Sequence, residues 1–299
     1  MYEEHWGLAD KPFRNTPDPH YFFFSRAHEE ALVRGLYAIC EGQGAMLLTG
    51  DPGCGKTLIL RVLLDELDPD RHEVALVNHA DAGPDDFLRS VVAQFGAHPD
   101  PDADRPALWR WLEDFLYASR RRGATAVVCV DEAQIADDPA TLERMRLLLN
   151  FQQDRRFGLT LLVAGQPELA DLVAARPAFD QRLTVRWRVG PLSEDESVAY
   201  LRHRLSVAGG GEGVFTGGAE RLIARAAGGV PRCLNRLADL ALLAGYGRRA
   251  ALVDEELAEL AVADVETRPT VSVAPESAVD SQLFEQEELA CPAQSARRP

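Results

Sequence analysis

The chain has 299 residues, 46% of them hydrophobic, and a formal net charge of −15 at pH 7. This composition is typical of a globular protein with a full core, and no apolar run approaches the roughly 20 residues that span a bilayer. The acidic balance disfavours a nucleic-acid-binding protein, because phosphate contacts usually require a surplus of basic side chains.

The N-terminus, MYEEHWGLAD, lacks the basic and apolar regions of a signal peptide. Five cysteines form no CxxC or other metal-ligand spacing. We therefore expect a cytoplasmic protein with reduced thiols at Cys40, Cys54, Cys129, Cys233 and Cys291.

A glycine-rich loop between an apolar strand and a helix is the first chemical signal. Residues 45–49 have the pattern of a buried strand and residues 57–67 that of a helix, with GDPGCGKT between and across them. The spacing Gly-x-x-x-x-Gly-Lys-Thr is that of a phosphate-binding loop, in which successive backbone N–H groups and a helix N-terminus face one anion. The alternative is a glycine-rich turn that arises by chance. The predicted nucleotide-binding residues are Gly50, Asp51, Pro52, Gly53, Cys54, Gly55, Lys56, Thr57 and Leu58.

Lysine usage supports this interpretation. The chain has thirty arginines and only two lysines, Lys11 and Lys56. A position that keeps lysine in such a chain favours a slim point charge over a planar guanidinium. We predict that Lys56 reaches the β- and γ-phosphates of ATP and that Thr57 offers its hydroxyl to Mg²⁺.

Two further buried strands lie downstream. Residues 73–81 supply one, and AVVCVDEAQ, residues 126–134, supplies the other and carries Asp131 and Glu132 at its carboxyl end. Open α/β sheets bind ligands at that edge. We predict that Asp131 holds Mg²⁺ and that Glu132 orients and polarises the attacking water; the alternative for the aspartate is a helix N-cap.

The last two strands complete the sheet. LTLLVAGQPEL, residues 159–169, places Gln166 near the same edge, either as a polar sensor of the γ-phosphate or as a turn residue before Pro167. LTVRWRV, residues 183–189, alternates apolar and polar side chains and predicts a half-exposed strand.

The element order βαβαβαβαβ predicts an open parallel five-stranded sheet with helices on both faces, a P-loop NTPase core. After Gly190-Pro191 the strand pattern stops. Helices are expected at 194–208, 216–227, 231–246 and 254–263, which make a small all-α domain.

These elements together resemble the AAA+ class, and more closely the ExeA family of general secretion pathway protein A ATPases. The resemblance covers roughly residues 1–265 and is looser for the TniB- and MuB-related transposition helpers. It rests on phrases in matching order: WGLADKPFRNTPDPHYFFFSRAHEEAL, GDPGCGKT, VDEAQ, LLVAGQPEL, FDQRLTVRWRVGPLSEDESVAYLRHRL and GGVPRCLNRLADLALLAGY.

The resemblance implies further roles. Arg182 matches the arginine finger that reaches a neighbouring subunit's γ-phosphate, with Arg186 and Arg188 as nearby candidates. Arg232 matches the sensor arginine of the helical lid. The alternatives are a solvated arginine at a strand start and an ordinary exposed helical arginine.

The resemblance also implies an N-terminal segment (1–40) that wraps the core near the adenine, a P-loop ATPase core (41–190) and a helical lid (191–265). The remaining residues, 266–299, are acidic and rich in Pro, Ser and Ala, and this composition predicts a disordered tail. Phe24 and His28 are candidates to touch the base, although aromatic packing is the simpler role. Larger ExeA proteins carry a membrane span and a periplasmic region where this chain has its tail.

Three functions follow. The favoured one is an AAA+ ATPase that uses ATP and Mg²⁺ to remodel or position a protein partner, working as a homo-oligomer in a ring or an ATP-dependent assembly. The second is a DNA-associated transposition or partition helper, which the acidic charge disfavours. The third is a low-turnover switch, against which Glu132 argues.

Overall fold

The computed structural model describes residues 1–78, 83–100, 103–136, 139–153, 156–211 and 213–267. The predicted acidic tail lies outside the described residues from position 268 onward. The strands are β1 Ala45–Gly50, β2 His72–Val77, β3 Thr125–Val130, β4 Gln152–Gln153, β5 Arg156–Phe157, β6 Leu159–Gly165 and β7 Leu183–Val189. The helices are α1 Glu3–Trp6, α2 Arg26–Cys40, α3 Lys56–Asp65, α4 Pro84–Gln94, α5 Arg105–Arg121, α6 Pro139–Leu148, α7 Glu168–Ala174, α8 Pro177–Asp180, α9 Glu194–Val207, α10 Gly217–Ala226, α11 Pro231–Arg248 and α12 Glu255–Thr267.

Five strands form one parallel sheet in the order β2-β3-β6-β1-β7. Their carboxyl ends are aligned, since Val77 pairs with Val130, Thr49 with Gly165, and Gly50 with Val189. The predicted five-stranded parallel sheet is confirmed. This alignment brings the loops that follow β1, β3 and β6 to a single edge.

Helices cover both faces of the sheet. Along β1, Ala45 and Leu47 belong to the core under α4, α5 and α6, whereas Met46 and Leu48 belong to the core under α2 and α3. A strand whose alternate side chains are all apolar is buried on both sides. The uniformly apolar runs of β1, β3 and β6 thus account for their central positions.

The connection between β2 and β3 departs from the predicted order. It contains two helices, α4 and α5, where the order βαβαβαβαβ implies one. The stretch between them, residues 95–104, reads FGAHPDPDAD. Gly96 has a left-handed φ of 89° just past the end of α4, and prolines break a helix because they lack the N–H donor and restrict the preceding residue. Between α6 and β6 there is also a short antiparallel pair, β4 and β5, which the pattern did not predict.

The four predicted C-terminal helices are confirmed as α9 to α12, with shifted ends. α9 begins with a capping box, in which Ser193 accepts from the Glu196 N–H and the Glu196 carboxylate accepts from the Ser193 N–H. α11 runs two residues further than predicted, to Arg248, and is followed by the capping residue Arg249, whose φ of 52° is left-handed. These helices pack around a separate apolar core.

The first 21 residues join that helical core. Tyr2, Trp6, Leu8, Phe13 and Tyr21 are buried among its side chains. The Trp6 indole N–H donates to the Leu242 carbonyl at 3.1 Å. The expectation that the N-terminal segment (1–40) wraps the ATPase core is therefore wrong for the aromatic side chains of residues 2–21, which fill the helical region. The segment touches the ATPase core at Pro17, whose carbonyl accepts from the Arg61 guanidinium of α3 at 2.8 Å, and from Phe22 onward its side chains join the core of the sheet.

No helix within the described residues is both long enough and apolar enough to cross a membrane.

Candidate nucleotide-binding site

The loop between β1 and α3 requires glycine at two positions. Gly53 and Gly55 have φ values of 85° and 92°, which are left-handed. A Cβ on Gly53 would lie 2.8 Å from the Arg232 Cβ, and one on Gly55 would lie 2.9 Å from His28 Nε2. The loop therefore curls tightly and is packed from two sides.

Lys56 is the first residue of α3 and is only 4% exposed. Its ammonium donates to the Gly50 carbonyl at 2.8 Å and to the Asp51 carbonyl at 3.2 Å. The Lys56 side chain thus folds back from the start of α3 over the preceding phosphate loop. This geometry holds one positive charge within the curl, where the larger guanidinium of arginine is a poor fit.

Thr57 and Asp131 meet at the sheet edge. The Thr57 hydroxyl donates to Asp131 Oδ2 at 2.6 Å, and Asp131 Oδ1 accepts from the Glu132 N–H at 2.9 Å. Asp131 is buried. A hydroxyl and a carboxylate beside a phosphate-binding loop are the hard oxygen ligands that Mg²⁺ uses with nucleotide phosphates. The donor set fits that ion, and Thr57 and Asp131 are the residues that would hold it.

Several predicted groups share one cavity of about 140 Å³. The predicted members among its lining residues are Gly53, Gly55, Lys56, Thr57, Leu58, Glu132 and Arg232. A larger cavity of about 770 Å³ lies between α9, α10 and the loop that joins them, and none of the predicted site residues line it. The side chains that can bind phosphate and Mg²⁺ line the smaller cavity and not the larger one, and so the smaller cavity is the candidate site.

The sequence comparisons agree with this geometry. A family profile described as an AAA domain matches residues 39–173. General secretion pathway protein A of Aeromonas hydrophila is 38% identical over 251 residues, which are 83% of this chain and 45% of that protein. This chain belongs to the AAA+ ATPases of the ExeA family.

The chain spans less than half the length of that relative. Among solved structures, Aeropyrum pernix ORC1 in complex with DNA has a TM-score of 0.67 at 20% identity, covering 86% of this chain and 69% of that one. Aeropyrum pernix ORC2, in its ADPNP-ADP complexes, has a TM-score of 0.65 at 18% identity, covering 80% and 67%. At such identities the likeness is one of fold alone.

Arg232 contributes to the site from the helical region. Pro231 opens α11, where its missing N–H costs nothing. The Arg232 N–H donates to the Gly53 carbonyl at 3.3 Å. The start of α11 therefore lies directly on the phosphate loop, which is the position that the ExeA resemblance implied for a sensor arginine.

Gln166 and Arg182 lie outside the cavity lining. The Gln166 N–H donates to Gln134 Oε1 at 3.0 Å, and the Arg182 guanidinium donates to the Leu149 carbonyl at 2.8 Å. Arg182 precedes β7 at the opposite end of the sheet from the loop, since Leu183 pairs with Ala45. Five residues of strand amount to about 17 Å, and so Arg182 does not reach the nucleotide of its own chain.

The other two finger candidates differ in their contacts. The Arg186 guanidinium donates to the Asp180 carboxylate at 2.8 Å within the same chain. Arg188 lies at the other end of β7, 3.9 Å from the Asp51 carboxylate. The Arg188 pair is a surface ion pair, which contributes at most about 1 kcal/mol. The Arg186 guanidinium is held more firmly, because it also donates to the carbonyls of Asp180 at 2.7 Å and Leu183 at 3.2 Å.

Sequence reasoning missed several residues that line the cavity, among them Arg14, Asn15, Tyr200, Arg204 and Asn235. The Tyr200 hydroxyl donates to Asn235 Oδ1 at 2.8 Å, and Asn235 Nδ2 donates to Asn15 Oδ1 at 3.1 Å. The helical region and the N-terminal segment are therefore joined by hydrogen bonds at the cavity wall.

Arg204 is at the centre of that junction and is 4% exposed. Its guanidinium donates to the carbonyls of Pro12 at 2.5 Å and Arg14 at 3.0 Å, and lies 4.4 Å from the centre of the Tyr21 ring. A signal for this was present in the sequence. Leu201, Arg204, Leu205 and Ala208 share the helical spacing that marks a buried face, and a charge on such a face needs partners.

His28 fixes the phosphate loop from α2. Its Nε2 lies 3.0 Å from the Cys54 carbonyl, which only accepts, and so Nε2 carries the proton. Nδ1 then accepts from the Ser25 hydroxyl at 2.6 Å. Burial lowers the pKa of His28, which keeps the ring neutral. Phe24, the other predicted neighbour of the base, is 64% exposed.

Proposed function

We propose that this protein hydrolyses ATP with Mg²⁺ and uses the cycle to move its helical region against the ATPase core, thereby positioning or remodelling a protein partner. The cavity that joins Lys56, Thr57 and Glu132 to Arg232 is the observation that supports this. Three of these groups come from the core and one from the helical region, and so a ligand bound there touches both.

The chemistry follows from the positions of the charges. Lys56 supplies positive charge to the phosphates, and the loop N–H groups and the dipole of α3 add to it. When bound at Thr57 and Asp131, Mg²⁺ supplies further neutralisation of the charge that develops on the phosphoryl oxygens. Glu132 accepts a hydrogen bond from the attacking water and orients it, so that catalysis is mainly positioning and charge stabilisation.

Coupling to the partner follows from the cavity wall. Arg232, Tyr200, Arg204 and Asn235 of the helical region face the same space as the phosphate loop. Phosphate release removes the negative charge that Arg232 faces. Because Arg232 lies in the first turn of α11, the N-terminus of that helix then moves relative to the phosphate loop. We infer that this motion is what a bound protein partner senses, as expected for an ExeA-like ATPase associated with secretion or envelope assembly.

Phosphate-release assays on matched lysine variants test the proposal. Lys56→Ala should lose ATP binding and turnover, and Lys56→Arg should lose nearly as much of both. Lys11→Ala and Lys11→Arg change the only other lysine, whose side chain is half exposed and 4.0 Å from Glu3, and should behave like the parent. Turnover by Lys56→Arg at the parent rate would contradict the assignment of the phosphate site.

Glu132→Gln separates binding from hydrolysis. We expect it to bind ATP normally, because the loop, Lys56 and Asp131 are unchanged, but to turn over about 10²–10⁴-fold more slowly. Held in its ATP state, this variant is also the bait for identifying the partner. Recovery of the same proteins with Lys56→Ala would show that capture does not depend on ATP.

A further inference from the structure

A side-chain network behind the site is not used by the function proposed above. Gln134 lies in a 3₁₀ turn, Ala133–Ile135, immediately after β3. Its Nε2 donates to Glu132 Oε2 at 2.5 Å, and its Oε1 accepts from the Gln166 N–H at 3.0 Å. One amide therefore connects the loop after β3, which carries the proposed water-orienting Glu132, to the residue that follows β6.

The orientation of this amide is fixed by its neighbours. An ionised carboxylate only accepts hydrogen bonds, and a backbone N–H only donates. Turning the amide by 180° would place its oxygen against the Glu132 carboxylate and its NH₂ against the Gln166 N–H. The arrangement therefore has one consistent solution, in which the donor faces Glu132.

The backbone around the amide is shaped to admit it. Glu132 has a φ of 50°, one of two left-handed non-glycine residues in the described part of the chain. A Cβ on Gly165 would lie 2.5 Å from Gln134 Oε1 and 2.7 Å from Leu169 Cδ2. The absence of a side chain at Gly165 leaves room for the Gln134 amide, and strain of the kind seen at Glu132 persists where surrounding interactions hold it.

We propose that Gln134 is a positioning residue for Glu132. Its amide holds one carboxylate oxygen, which directs the other oxygen toward a water at the phosphate, and its bond to Gln166 ties that direction to the end of β6. The inference rests on the proposed ATPase function and assigns to Gln134 a role that acts only through Glu132.

Gln134→Leu removes both hydrogen bonds at similar side-chain volume. We expect kcat to fall about 10²-fold, because misplacement of a catalytic group by about 1 Å costs that much, while KM and ATP affinity stay within about twofold. Gln94→Leu makes the same substitution at an exposed position of α4 and should leave every parameter unchanged.

Gln134→Glu is the second variant. It keeps an acceptor for the Gln166 N–H but replaces the donor with a carboxylate that faces Glu132, and like charges repel. We expect a loss in kcat at least as large as that of Gln134→Leu. This variant also decides the case if Gln134→Leu fails to fold, as judged by its melting temperature.

A double-variant cycle separates positioning from general support. If Gln134 acts through Glu132, then Gln134→Leu should cause no further loss in a Glu132→Gln background, measured by single-turnover hydrolysis. Losses that multiply would overturn the inference, as would parental kcat in both Gln134 variants. Parental turnover in Glu132→Gln alone would instead overturn the proposed function of Glu132, and the role of Gln134 with it.

Discussion

One nitrogen–oxygen contact connects α2 to the phosphate loop. His28 Nε2–H donates to the Cys54 carbonyl, and the ring is held neutral by burial, against a weaker pull from the Glu196 carboxylate. Gly55 has no room for a side chain beside that ring. At the scale of the residue, the loop conformation is therefore supported by a buried imidazole from a neighbouring helix.

This contact predicts a pH dependence. Because burial lowers the pKa of His28 below its ordinary value of 6.5, the unfolded chain takes up the proton before the folded one does. The stabilisation is present above about pH 6.5 and is lost as the pH falls through the folded-state pKa. We expect the melting temperature to fall more steeply between pH 7 and 5 in the parent than in His28→Gln, which keeps a donor for the Cys54 carbonyl. Parallel curves would contradict the assignment.

The five strands of the parallel sheet and the tight glycine turn between β1 and α3 were predicted correctly because their signals are local, whereas the roles of Lys56, Asp131 and Glu132 stay predictions. Glycine spacing, apolar runs and the residues at strand ends depend on a few neighbours along the chain. Gln134 was quoted within VDEAQ but given no role, since its partner Gln166 lies 32 residues away. Pairing of that kind depends on which strands become adjacent, and a single sequence does not encode strand order in a local pattern.

At the scale of the element, the N-terminal segment is the main surprise. Residues 2–21 lack hydrophobic periodicity of their own. Their aromatic side chains become buried by packing against helices about 190 to 240 residues later in the chain. Arg204 holds them with hydrogen bonds to two backbone carbonyls, and these carbonyls lie beside the cavity. An irregular segment is thereby anchored to the helices around it.

Removing Arg204 should therefore destabilise the fold and weaken nucleotide binding. Arg204→Leu leaves two carbonyls without their donor, each costing about 1–3 kcal/mol, and so we expect a loss of roughly 3 kcal/mol in urea unfolding together with a raised KM for ATP. Arg225→Leu removes an exposed arginine of α10 that makes one surface ion pair, for which the expected cost is below about 1 kcal/mol. Equal losses in the two variants would show that Arg204 does not anchor the segment.

At the scale of the whole molecule, the separation between Arg182 and the phosphate loop matters most. The arginine lies at the amino end of β7 and the loop at the carboxyl end of β1. Within one chain, Arg182 and the phosphate loop therefore lie at opposite ends of the sheet. If Arg182 is the predicted finger, it acts on the nucleotide of a neighbouring subunit, and the protein must self-associate to be active.

Mixing two inactive variants tests this arrangement. Lys56→Ala keeps Arg182 but cannot bind ATP, and Arg182→Ala binds ATP but lacks the finger, which contributes about 10³–10⁵ in rate in other NTPases. Mixed together, they should recover part of the activity, and the rate per molecule of the parent should rise with protein concentration. No recovery, with a rate independent of concentration, would leave Arg182 as the structural donor to the Leu149 carbonyl.

The path of the chain between the core and the helical region has a mechanical consequence. The chain crosses twice, at residues 22–25 and again at residues 190–193, and the two crossings are neighbours, because the Arg26 N–H donates to the Glu196 carboxylate at 3.3 Å. A region joined to the core by one flexible segment can rotate in any direction. A region joined by two adjacent segments rotates mainly about the line that passes through both. That line passes beside the phosphate loop, where Leu192, Phe22 and Gly55 line one small cavity. If the helical region moves as proposed, its motion is therefore mainly a rotation about this line, and a protease cut in either crossing alone leaves the two parts attached through the other.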